Sequence, residues 1–157
     1  MRTARSILTV ASLLVPALFC SEAFAFDFIP LGNGQLADGK WAEAYTVVLD
    51  PGELPLFHYH PGDLTIIVNS GEITHVVACG VSKTYHAGES FIIPAGLVHE
   101  ELNNGSTPDN VTVFGVMPSC AGNYNDAIFV DEPACKGRGE HHGVFVRGPY
   151  CGARHDD

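Results

Sequence analysis

His58 and His60 flank Tyr59, and a third histidine, His99, follows the turn Pro94-Ala95-Gly96. In extended backbone, residues i and i+2 face the same side, so His58 and His60 present two imidazoles to one face. A single histidine on a strand is ordinarily a packed or hydrogen-bonded residue. Two at this spacing beside the turn Pro61-Gly62, with a third in a similar strand-and-turn setting, make a donor set for a metal ion. Imidazole is the commonest metal ligand and suits Fe, Mn, Ni, Cu and Zn.

The elements that must carry these side chains read as short strands. EAYTVVL (43–49) ends at Asp50-Pro51-Gly52-Glu53, and LFHYH (56–60) ends at Pro61-Gly62-Asp63. LTIIVN (64–69), EITHVVA (72–78), KTYH (83–86), FIIP (91–94) and VTVFGVM (111–117) complete the set. Strands punctuated by Gly and Pro at this spacing predict an all-β sandwich or barrel. Gly88 permits the turn before FIIP, and Pro94-x-Gly96 forces another that aims His99 back into the barrel mouth. Residues 26–42 read as an approach segment whose LGNGQLADGK stretch, rich in Gly and polar residues, is loop-like.

These segments carry a resemblance. PGELPLFHYHPGDLTIIVNSGE (51–72) resembles the first sequence motif of the cupin superfamily, with Gly52, then His58-x-His60, and Gly71 closing the next strand. GESFIIPAGLVHEELN (88–103) is similar to the second motif at Gly88, Pro94, Gly96, His99 and Asn103. The resemblance covers roughly residues 43–117. It implies an antiparallel double-stranded β-helix, or jelly-roll barrel, holding one divalent metal ion on His58, His60 and His99. Fe(II) or Mn(II) is favoured, with Zn, Ni and Cu as alternatives. Asn103 is expected to support its loop rather than touch metal.

One departure stands out. The family's first motif usually supplies a glutamate ligand, which falls here on Leu64. The adjacent Asp63 is one residue away, and such a shift turns a strand side chain to the opposite face. A slip at Pro61-Gly62 leaves Asp63 open as a substitute. The plain reading is a three-histidine site resembling those of cupin dioxygenases. The expected function is a metal-dependent oxygenase-type enzyme acting on a small polar or anionic molecule, because a missing anionic ligand leaves the site more positive. The alternative is a non-enzymatic cupin that binds a metal or small ligand.

Other residues draw plainer readings. His75 and His86 are expected to be packed or surface histidines, although either lies within reach of the pocket. Glu100 and Glu101 are expected to be solvated, as acidic residues beside a barrel mouth usually are. Tyr45, Phe57, Tyr59, Phe91, Ile93 and Phe114 read as barrel packing, some of them lining the cavity. Asn104-Gly-Ser106 and Asn110-Val-Thr112 fit the N-glycosylation acceptor pattern.

The chain ends read differently. Arg2 and Arg5, an apolar run from Ile7 to Phe19 and then Ala23-Phe24-Ala25 have the form of a secretory signal peptide over residues 1–25. The run is shorter than the roughly 20 residues a membrane span needs, so no stable membrane insertion is expected. The rest divides into a barrel with its N-terminal approach segment, 26–117, and a Cys-rich extension, 118–157. An exported protein, periplasmic or extracellular, is thus expected to use Cys79, Cys120, Cys135 and Cys151 as disulfides, with the pairing open. Cys135, His141, His142, Cys151 and His155 lack the close spacing of a zinc site.

Of 157 residues, 46% are hydrophobic and 17% charged, with Gly 17 and Pro 10, which suits one packed domain. The formal charge of −10 becomes −11 without Arg2, Arg5 and Glu22. That charge opposes nucleic acid and anionic lipid, and leaves a small-molecule ligand or substrate as the expected partner. Pairing through barrel edges into a homodimer is a further expectation drawn from the family.

Overall fold

The computed structural model describes residues 27–52, 56–119, 127–135 and 143–148. The residues read as a signal peptide lie outside these, as do Cys120, Cys151, His141, His142 and His155. Ten strands follow in chain order: β1 (Asp27–Gln35), β2 (Trp41–Leu49), β3 (His58–Tyr59), β4 (Asp63–Ser70), β5 (Glu72–Val77), β6 (Ser82–His86), β7 (Ser90–Ile93), β8 (His99–Leu102), β9 (Asp109–Met117) and β10 (Ile128–Phe129). They form two five-stranded sheets, β1-β2-β9-β4-β7 and β10-β3-β8-β5-β6, with every pairing antiparallel. The all-β jelly-roll expected from the sequence is the fold observed.

Period-two alternation decides which residues enter the core. Along β9, Val111, Val113 and Met117 are buried while Phe114 and Val116 stand exposed on the outer face. Phe114 therefore does not pack the barrel as its type suggested; its register turns it to solvent. In β4, Leu64, Ile66 and Val68 are buried, and with Tyr45, Leu49, Ile73, Phe91, Ile93 and Leu97 they close the space between the sheets. Burying a Val, Leu, Ile or Phe side chain contributes about 1.5–3 kcal/mol each.

The approach segment is a correction. Residues Asp27–Gln35 are a strand, paired with β2 from Asp27↔Val48 to Gln35↔Trp41, with a bulge between Pro30 and Gly32. β1 lies at a sheet edge and is exposed along most of its length, so it shows no alternating apolar face. Pro and a bulge are tolerated at an edge because one side of the strand has no ladder to maintain.

The turns match their sequence signals. Gly71 has φ 81°, and a Cβ there would run into Asp109 Oδ1, which instead accepts the Glu72 backbone N–H at 3.0 Å. Asn103 is buried and donates to Leu49 O at 2.9 Å and Thr107 O at 2.8 Å, while its Oδ1 accepts the Gly105 N–H at 2.8 Å. It supports the loop, as expected. Asn104 is exposed in that loop, whereas Asn110 lies in β9 and accepts from Asn69 Nδ2.

The described parts of the C-terminal extension are stitched to the barrel. β10 pairs with β3 through Ile128↔Tyr59 and Phe129↔His58, and Val144 and Val146 bond the backbone of Ala78, Val98 and Gly96. Cys79 and Cys135 form a disulfide with Cα atoms 5.3 Å apart. This resolves one pairing left open by the sequence and removes Cys135 from any zinc site in the tail.

Candidate metal centre

Two neighbouring strands of the second sheet bring the three histidines together. His58 on β3 lies directly opposite His99 on β8. His60 follows two residues after His58 and faces the same way. Their ligating nitrogens all lie within 4.8 Å of one another. The ring centroids are 4.4 Å apart for His58 and His99, 4.9 Å for His58 and His60, and 5.4 Å for His60 and His99. His99 is fully buried, His60 nearly so, and the His58 side chain is 14% exposed.

Backbone carbonyls fix two tautomers. His58 Nδ1 contacts Leu56 O at 2.9 Å, and His99 Nδ1 contacts Leu97 O at 2.7 Å. A carbonyl only accepts, so in both rings Nδ1 donates and, in the neutral ring, Nε2 carries the free lone pair. The same device, a carbonyl two residues upstream, thus orients both imidazoles. Anchoring of the non-ligating nitrogen is what metal-binding histidines require.

A fourth residue joins them. Glu101 lies two residues beyond His99 on β8, on the same face, and opposite His75 on β5. Its Oε1 is 3.2 Å from His99 Nε2 and 3.3 Å from His75 Nδ1, and its Oε2 is 3.7 Å from His58 Nε2. The expectation that Glu101 is solvated is therefore wrong: its side chain is 16% exposed and turned inward. Glu100 does turn the other way. Its pKa is raised by partial burial and by Glu132 and Glu101. His75 is buried against Glu101, whereas His86 is exposed and pairs with Glu72 at 3.4 Å.

Leu64 is buried and lines the cavity, which settles the register question in β4. Asp63 is exposed, and its Oδ1 accepts the Ala95 backbone N–H at 2.8 Å. It braces the turn before His99 and does not stand in for the missing carboxylate.

Electrostatics follow from burial and from Glu101. Burial, reinforced by His58 and His99, pushes His60 down to about 3, so it is neutral with a lone pair available. Burial also lowers His58, against the pull of Glu101. For His99, burial acts against the charged form, but the Glu101 carboxylate outweighs it and the pKa rises. Burial alone would raise Glu101; the three surrounding histidines hold it well below the usual carboxylate range.

The donor set fits a divalent ion. His60 Nδ1 and His99 Nε2 are buried without a hydrogen-bond partner among the described residues, and the His99–Glu101 contact lacks hydrogen-bond alignment. Three imidazoles brought together, two of them with an unsatisfied buried nitrogen, make a site that a cation completes.

His58, His60 and Glu101 line a cavity of about 320 Å³, walled mainly by Val47, Leu49, Leu64, Ile66, Ile73, Ile93, Val111 and Val113. Tyr45, with the Phe28 ring tilted against it at a centroid distance of 4.3 Å, also lines it. So do Ala127 and Phe129 of the extension, with the Phe129 ring 5.7 Å from that of His58.

Residues 45–114 match the family model described as Cupin domain. The barrel is a cupin domain. A cupin family protein of double-stranded β-helix fold from Methanocaldococcus jannaschii superposes with a TM-score of 0.51 at 19% identity, covering 68% of this chain and 94% of that one. This cupin is also similar to a double-stranded β-helix protein from Klebsiella pneumoniae, with TM-score 0.47, 28% identity and coverage of 57% and 75%. An oxalate oxidase solved with the substrate analogue glycolate gives a TM-score of 0.44 at 28% identity, covering 47% of this chain and 41% of that one. No curated protein matches the sequence.

Proposed function

We propose that this cupin is an exported metal-dependent enzyme of the oxygenase type, acting on a small molecule with a polar or anionic head and an apolar body. The observation that carries this reading is the convergence of His58, His60 and His99, the first two of which line a largely aliphatic cavity. A divalent ion held there, Fe(II) or Mn(II) in preference to Zn, Ni or Cu, would supply Lewis-acid and redox chemistry. The chain's own residues do the rest. His58 and His99 are pre-oriented by Leu56 O and Leu97 O, and Leu64, Ile66 and Val113 exclude water and take the apolar body. The polar side chains of the lining, Tyr45, His58, His60 and Glu101, would take the head of such a substrate.

The Cys79–Cys135 disulfide supports export, since such bonds persist in oxidising compartments. The test is oxygen uptake by the Fe(II)- or Mn(II)-loaded mature protein against small acids, phenols and diketones with and without alkyl or aryl bodies. Turnover that rises with apolar body size is the expected result. Tight retention of such a compound with no oxygen uptake would overturn the enzyme and leave a ligand-binding cupin.

A further inference from the structure

Position 64 offers leucine where the resemblance leads one to expect an anionic ligand, yet a carboxylate reaches the same cavity from the opposite sheet. We propose that Glu101 supplies the fourth, anionic ligand of the metal centre, moved from the first motif's strand to that of the second. This rests on the three-histidine reading.

Geometry carries the assignment. Both carboxylate oxygens face histidine Nε2 atoms, Oε1 that of His99 and Oε2 that of His58. The Nδ1 protons of those rings are committed to backbone carbonyls, so in the neutral rings each Nε2 turns a lone pair towards the carboxylate. Lone pairs and an anion repel unless a positive charge, a ring proton or a metal ion, lies among them. Among the described residues, the only cationic partners within ion-pair distance of Glu101 are histidines. One divalent ion held by the cluster of His58, His60 and His99, with Glu101 reaching it from the side of His58 and His99, would satisfy these atoms together.

His75 completes the arrangement as a positioning residue. It stands directly across from Glu101 and is 3.3 Å from Oε1 through Nδ1, so it can donate to the oxygen and fix the carboxylate's rotation. With Glu101 ionised, the loaded site carries one positive charge instead of two. That suits one monoanionic head.

The test is a chelator-competition titration of Co(II) into the full mature chain, read by visible absorption, for the wild type, Glu101→Gln and His58→Ala. Expected is a wild-type Co(II) spectrum that changes in Glu101→Gln, with affinity reduced by about 10- to 100-fold or more. Glu101→Ala serves in its place if the glutamine variant does not fold. Unchanged affinity and spectrum in the Glu101 variant, with binding lost in His58→Ala, would overturn the ligand assignment alone. Weakened affinity with an unchanged spectrum would also overturn it, reducing Glu101 to a positioning residue. No Co(II) binding by the wild type, or unaltered binding by His58→Ala, would overturn the three-histidine reading and this assignment with it.

Discussion

His60 shows how the pocket prepares a ligand. Burial, helped by His58 and His99, holds its pKa near 3 against an ordinary 6.5, so the folded chain binds fewer protons there than the unfolded chain. Stability from this residue is therefore full above pH 6.5 and declines as the pH falls towards 3. His58 acts in the same direction and His99 in the opposite one, but His60 has the large displacement. Glu101, held below its usual range, adds losses only under about pH 4.5. The urea midpoint of the metal-free protein is thus expected to fall between pH 7 and 5.5, and His60→Gln is expected to flatten that slope. An equal slope in the variant would contradict the neutral His60. The three histidines were legible in the sequence because their spacing and flanking turns are local features. Glu101 was not, because an acidic residue in a strand shows its direction only once its neighbours are known. A signal was nonetheless present: Glu101 is two residues from His99, hence on the same face.

At the scale of elements, the site depends on turns that fix strand register. Gly71 joins β4 to β5 at φ 81°, where a side chain is strained and would also displace Asp109 from the Glu72 N–H. Gly71→Ala is expected to cost about 1–3 kcal/mol from backbone strain alone, seen as a lower urea midpoint. A midpoint within error of wild type would refute the role given to this turn. β5 and β9 could be read from alternation and flanking glycines, whereas β1 could not. Edge position leaves β1 without a buried face, so the periodicity that betrays a strand is missing. β10 was equally hidden: two residues become a strand only because β3 offers an open edge.

For the whole molecule, the extension makes one wall of the pocket and the disulfide ties it down. Phe129 packs on His58, and Cys135 follows six residues later, bonded to Cys79 across 56 positions of sequence. A crosslink closing a loop of that length contributes about 4 kcal/mol in the chain-entropy account. Reduction, or Cys135→Ser, is expected to lower the melting temperature of the metal-free protein. An unchanged melting temperature would contradict a structural role for the bridge. Four cysteines foretold crosslinking, but pairing depends on where the tail lies, and that is fixed by contacts such as Leu97↔Phe145 far apart in the chain. If this barrel holds a metal ion, elemental mass spectrometry of the untagged protein from its native compartment will find it there. About one Fe or Mn per chain in the wild type, and none in a folded His99→Ala variant, is the predicted result. A wild-type protein that stays metal-free after anaerobic reconstitution, or a His99→Ala variant that keeps its ion, would contradict it.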